Sequence, residues 1–129
     1  MGMTPEPGLA ATQSLTVEES DTAAEVGSGS VAVLATPRLL ALCEAATVAA
    51  VAEHLDEGMT TVGVQVRLDH IAASPVGRRV AAEATLEKVA GRKLFFTVSA
   101  HDDRGLVAAA KVTRVIVDES AFMAKITDD

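Results

Sequence analysis

The chain has 129 residues, 49% hydrophobic and 2% aromatic with no Trp or Tyr, so Ala, Val and Leu must fill its core. That length suits one domain with a real core and needs no disulfide or metal staple. A net charge of -7, with no basic run longer than Arg78-Arg79, excludes a nucleic-acid binder, which needs a clustered cationic face.

Residues 1–10, with Pro5, Pro7, Gly2 and Gly8, read as a flexible leader, and residues 11–129 as a single domain. Loose alternation at Leu15 and Val17 predicts a first strand over 11–19, and the polar stretch 18–29, ending in Gly-Ser-Gly, predicts a mobile loop or lid. Thr36 and Pro37 mark a helix start, a hydroxyl N-cap followed by proline at the first helical position. The helix should run to about Leu55, with Gly58 just past its end in the left-handed conformation. From Thr60 the period becomes two, with Val62, Val64, Val66 and Leu68 on one face and Gly63, Gln65, Arg67 and Asp69 on the other. His70 continues the apolar face. After a break at Ser74-Pro75-Val76-Gly77, three strands are predicted over 79–90, 93–101 and 106–117, joined by tight turns at Gly91-Arg92 and 102–105. Asp118 reads as the N-cap of a short segment over 119–126.

Strand, loop, one long helix and four strands make an α+β plan. A helix apolar nearly all round needs cover on most sides. An antiparallel β-sheet wrapped around one long central α-helix gives part of that cover, and a partner subunit gives the rest. This is the hotdog fold, expected as a homodimer, with pairing of dimers into a tetramer left open. The single Cys43 rules out an intrachain disulfide and fits a reducing compartment, so the expected location is cytoplasmic. No signal peptide is legible, and no uncharged apolar run reaches the ~18 residues of a membrane span, so no membrane partner is expected.

Glu44 is the only charged residue in the stretch LLALCEAATVAAVA, residues 39–52. A lone ionised carboxylate is costly to bury, so Glu44 is either a polar anchor of the fold or part of a site. Thr36 lies eight residues earlier, about 12 Å along the axis at ~1.5 Å per residue and on a neighbouring face. His70 ends the first long strand on the face that packs toward the helix. Histidine accepts a proton near neutral pH, a carboxylate orients it or attacks, and a hydroxyl donates to a developing oxyanion, so the three suit hydrolysis. Each also has a plain structural reading, as core anchor, strand-end histidine and helix cap. Parity places Arg114 with Leu106, Val112 and Ile116 on an apolar face, where it either reaches past the sheet edge or pairs with an acid. Cys43 reads as a small core residue.

Four ordered blocks, ATPRLLALCEAA, GVQVRLDHIAASPVG, VAGRKLFFTVSAHD and VTRVIVDESAFMAKI, span residues 35–126. In these blocks the chain resembles the fluoroacetyl-CoA thioesterase type of hotdog enzyme. The resemblance implies that Thr36, Glu44 and His70 are catalytic and that Gly63 and Arg114 contact substrate. It implies hydrolysis of a short acyl-CoA thioester to free acid and coenzyme A by a homodimer, with no cofactor and no metal. Glu44 would attack the carbonyl to give an anhydride or act as base for water. Gly63 would let backbone approach the thioester, and Arg114 would contact the ligand or hold the Glu44 carboxylate. Arg78, Arg79, Arg92 and Lys93 are candidate cations for the coenzyme A phosphates. The stretch EVGSGSVAV, residues 25–33, carries no aromatic lid of the kind known in the fluoroacetyl-specific enzyme, which points to a broader or different acyl group. The alternative is a non-catalytic hotdog module that binds acyl-CoA or another small apolar ligand.

Overall fold

In the computed structural model, which describes residues 4–127, the elements are β1 (Ala10–Thr16), α1 (Ala23–Val26), α2 (Thr36–Val51), β2 (Met59–His70), β3 (Arg79–Ala90), β4 (Lys93–Asp102), β5 (Gly105–Asp118) and α3 (Glu119–Thr127). The five strands form one antiparallel sheet in the order β1-β3-β4-β5-β2, so β2 is an edge strand. The sheet curls around α2, as the α+β plan predicts. Alanine and leucine favour α2, and its inward residues Leu39, Leu42, Cys43, Ala46 and Ala50 pack on the sheet. Buried Ala82, Ala84, Ala100 and Ala108 keep the sheet face shallow, so helix and sheet approach closely, with Phe96 the aromatic residue in this core. Each fully buried leucine, such as Leu39 or Leu86, contributes about 1.5–3 kcal/mol by leaving water.

Several local expectations are corrected. Residues 1–3 of the expected leader lie outside the described residues. Beyond them Pro5 is buried, the Gly8 amide donates to the Leu86 carbonyl and the Leu86 amide donates to that of Leu9, so this part lengthens the β1 edge. The stretch expected as a mobile loop or lid holds a 3-10 turn at Glu19–Asp21 and the short α1, which the buried Thr22 caps through its hydroxyl. Amides of Ala23 and Ala24 donate to the carbonyls of Val33 and Val31, closing it on itself. The α-helix stops at Val51 and a 3-10 turn finishes it at His54. Gly58 is left-handed as expected, at φ 85°, but serves the turn into β2, where its carbonyl accepts from the Glu119 amide. Asp118 caps α3 as expected, accepting from the Ala121 amide at 2.9 Å.

The correction with the largest consequence is in β2. Gly63 pairs with Arg114 and Gln65 with Thr113, so Val64 is an extra residue, a β-bulge. A bulge inverts side-chain parity on its far side. Val66, Leu68 and His70 lie on the half-buried face, but before the bulge that face is held by Thr61 and Gly63, and Val64 is 54% exposed.

The outward stripe of α2 is uncovered in the single chain: Ala41, Ala45 and Val48 are exposed and Glu44 is half-buried. Among the described residues no helix is long and apolar enough to cross a membrane.

Candidate active site

Thr36 does not cap α2 as expected. Ala35 is the N-cap, with extended backbone at φ -71° and ψ 139°, which makes Thr36 the first helical residue and Pro37 the second. The hydroxyl is therefore not spent on the helix end, and its Oγ1 lies 2.7 Å from Nδ1 of His70 at the end of β2. The two segments are held in register beside this contact, where the Leu34 amide donates to the Ser74 carbonyl at 2.8 Å. The other ring nitrogen, Nε2, is buried and has no hydrogen-bond partner among the described residues. If Thr36 donates to Nδ1, the imidazole polarises the hydroxyl and Nε2 carries the proton; in the other tautomer Nε2 is a free base.

Two turns further along α2, Glu44 reaches over the sheet to Arg114. Nη1 of Arg114 donates to Glu44 Oε2 at 3.4 Å, with the two side chains 9% and 34% exposed. The remainder of the guanidinium is held by one residue: Nε donates to Thr61 Oγ1 at 2.9 Å and Nη2 to the Thr61 carbonyl at 3.0 Å. Burial pulls the Arg114 pKa down, while the Glu44 charge and its hydrogen bond push it up. With Glu44 a third exposed, the ion pair itself is worth only about 0.2–1 kcal/mol. Its value is geometric, because it fixes one carboxylate oxygen and leaves Oε1 free.

Gly63 explains why the carboxylate fits. It pairs across the ladder with Arg114, and the bulge turns it toward the helix. A Cβ at this position would lie 2.6 Å from Glu44 Oε2 and 3.3 Å from Arg114 Nη1. The carboxylate thus rests against bare backbone.

The sequence-predicted residues are brought together as two groups, Thr36 with His70 and Glu44 with Arg114 and Gly63. Among the described residues no hydrogen bond joins them. A cleft of about 730 Å³ lies elsewhere, lined by Pro75, Gly77, Arg78, Arg79, His101 and Asp102 among others. Of the expected phosphate cations, Arg78 is already tied to Asp102 at 3.5 Å and Asp103 at 3.9 Å, and Arg79 donates to Ser14 Oγ at 2.9 Å. Among the described residues no three His, Cys, Asp or Glu side chains converge as metal ligands.

A family model described as fluoroacetyl-CoA-specific thioesterase matches residues 17–120. The chain belongs to the fluoroacetyl-CoA-specific thioesterase family. It is 35% identical over 94 residues to the fluoroacetyl-CoA thioesterase of Streptantibioticus cattleyicolor, which covers 73% of this chain and 68% of that one. A solved structure of the fluoroacetyl-CoA thioesterase superposes with a TM-score of 0.88 at 29% identity, over 95% of this chain and 96% of that one. A Thermus thermophilus hypothetical protein described as a thioesterase superfamily member superposes with a TM-score of 0.88 at 27% identity, over 96% and 93%. The expected hotdog fold is therefore the fold of this thioesterase family.

Cys43, next to Glu44 in the chain, is a free and buried thiol. Burial first and the Glu44 charge second push its thiol from the ordinary 9.0 up to about 11. A folded-state pKa above the unfolded one means that the native chain holds the proton longer. The stability gained is complete below about pH 9 and is lost as pH rises toward about 11. At pH 8 the native thiol should resist iodoacetamide and the urea-unfolded chain should label within minutes; equal labelling of both would contradict this burial.

Proposed function

We propose that the chain hydrolyses the thioester of a short acyl-CoA, with Glu44 as the reacting carboxylate and the Thr36–His70 pair as its partner in proton transfer. The enzyme is a thioester hydrolase. The carrying observation is a carboxylate that is the lone charge over residues 39–52, held by one oxygen to Arg114 and seated on the one bare backbone position of β2. The missing side chain at Gly63 makes room for Oε2 itself, and Oε1 is left for a thioester carbonyl.

Two routes use this geometry. Oε1 adds to the carbonyl and expels the coenzyme A thiolate, giving a mixed anhydride that water then opens; or Oε1 takes a proton from water as its oxygen adds to the carbonyl. In both, the C–S bond breaks, one water is consumed and the thiolate leaves as a thiol after protonation. The Thr36 hydroxyl donates to the oxyanion, and His70 passes to the thiolate the proton that the consumed water releases. The relatives carry thioesterase names, so a binding module without turnover is not favoured.

The functional unit we infer is a homodimer. Thr36 and Glu44 are about 12 Å apart along α2, and the outward stripe at Ala41, Ala45 and Val48 lies open beside them. A second copy over that stripe and the β2 edge covers apolar surface and can carry the Glu44 of one chain to the Thr36–His70 pair of the other. Mixed dimers of two site variants test this. A cytoplasmic setting fits the single, buried Cys43. Because residues 25–33 hold no aromatic side chain, acetyl and propionyl groups are proposed as substrates with no requirement for fluorine.

Thiol release from acetyl-, propionyl- and longer acyl-CoAs by the wild type tests the activity. His70→Ala should lose about 10²- to 10⁴-fold in kcat. Refolding Glu44→Gln and His70→Ala together should restore roughly a quarter of the wild-type rate through heterodimers with one intact site. No thiol release from any acyl-CoA, or full rate in His70→Ala, would overturn the reading; an inactive mixture would place both groups in one chain.

A further inference from the structure

We propose that Thr61 is a positioning residue for the hydrolysis, clamping the Arg114 guanidinium at two points and so aiming its third nitrogen at Glu44 Oε2. The inference rests on the catalytic role proposed for Glu44. It begins with the bulge at Val64, which turns Thr61 inward together with Gly63, and Thr61 is only 8% exposed. From one residue Arg114 receives both a hydroxyl acceptor on Nε, at 2.9 Å, and a carbonyl acceptor on Nη2, at 3.0 Å.

A guanidinium is planar, so two fixed nitrogens fix the third. Those two contacts are buried, whereas the contact to Glu44 is partly open and longer, at 3.4 Å. The short pair therefore sets the orientation and the long contact follows it. Without the hydroxyl, Nε loses a buried acceptor and the guanidinium is free to pivot on Nη2. Glu44 Oε2 then loses its tether, and Oε1 loses its aim at the carbonyl. Small misplacements of a reacting group are costly to rate and need not alter substrate affinity.

Thr61→Val removes the hydroxyl, keeps the shape and favours a strand. Measured on acetyl- and propionyl-CoA per folded protein, it should lose about 10- to 100-fold in kcat with KM within about threefold. Thr61→Ser keeps the acceptor and should recover the rate to within about threefold of wild type. Adding Thr61→Val to Arg114→Ala should cost nothing further, because the residue acts only through Arg114.

The proposal is overturned by full rate in Thr61→Val, by an equal loss in Thr61→Ser, or by additive losses in the double variant. If Thr61→Val does not fold, Thr61→Ala takes its place under the same expectation, a loss of rate that Thr61→Ser does not share. Glu44→Gln is measured alongside. Full activity there sinks the role of Glu44 itself, whereas an inactive Glu44→Gln with an unaffected Thr61→Val sinks only this inference.

Discussion

Glu44→Gln should give a folded chain with its kcat for acyl-CoA hydrolysis lowered by about a thousandfold. The amide cannot add to a carbonyl or take a proton from water, yet it is nearly the same size and still offers an oxygen to Arg114. The stability side follows from the exposure: a side chain 34% open to solvent has not paid a full burial cost, and Arg114 keeps its two bonds to Thr61. The melting temperature should therefore stay within about 3 °C of wild type. Thiol release and a thermal melt on the same preparation separate the two roles. A melting point lowered by about 10 °C with activity intact would make Glu44 an anchor of the fold instead of its reacting group. The small expected shift also departs from the sequence reading, in which a lone carboxylate on this helix is costly to bury.

What could be read from the chain was what is local. Ala- and Leu-rich composition specifies α2, period-two alternation specifies β3, β4 and β5, and Asp118 states its own capping role. Arg114 was legible in part, because parity put a guanidinium on an apolar face, while reaching past the sheet edge and pairing with an acid stayed equally open. Glu44 stood out by isolation. The bulge was not legible: strict alternation from Thr60 turns Gly63 away from the helix, and only pairing with β5 shows Val64 to be the extra residue. Gly63 thus entered as a site residue through family resemblance, against its own parity. Thr61 was missed for the same reason, since an error of one residue in register hides everything before it. Thr36 was misread differently. A Thr-Pro pair fits the N-cap with proline first or the first turn with proline second, and the contact with His70, 34 positions away, decides between them.

Gly63→Ala should fold and fail to turn over, the converse of a stability mutation. Its φ lies outside the left-handed range, so alanine meets no backbone strain there. The added carbon meets Glu44 Oε2 at 2.6 Å, a contact too close to persist. The atom that must move is the tip of a flexible, partly exposed side chain, so the displacement is cheap in folding terms. Its catalytic effect is large, because the carboxylate leaves the one place where Arg114 holds it. A loss of about 100-fold or more in kcat/KM is expected. Melting within a few degrees of wild type, with thiol release near background, is the expected pair of readings. If alanine at this position hydrolyses acyl-CoA at the wild-type rate, the carboxylate does its chemistry somewhere other than against β2. Gly63→Val then sharpens the test, since its two further methyls leave even less room and should deepen the loss in step with the volume added.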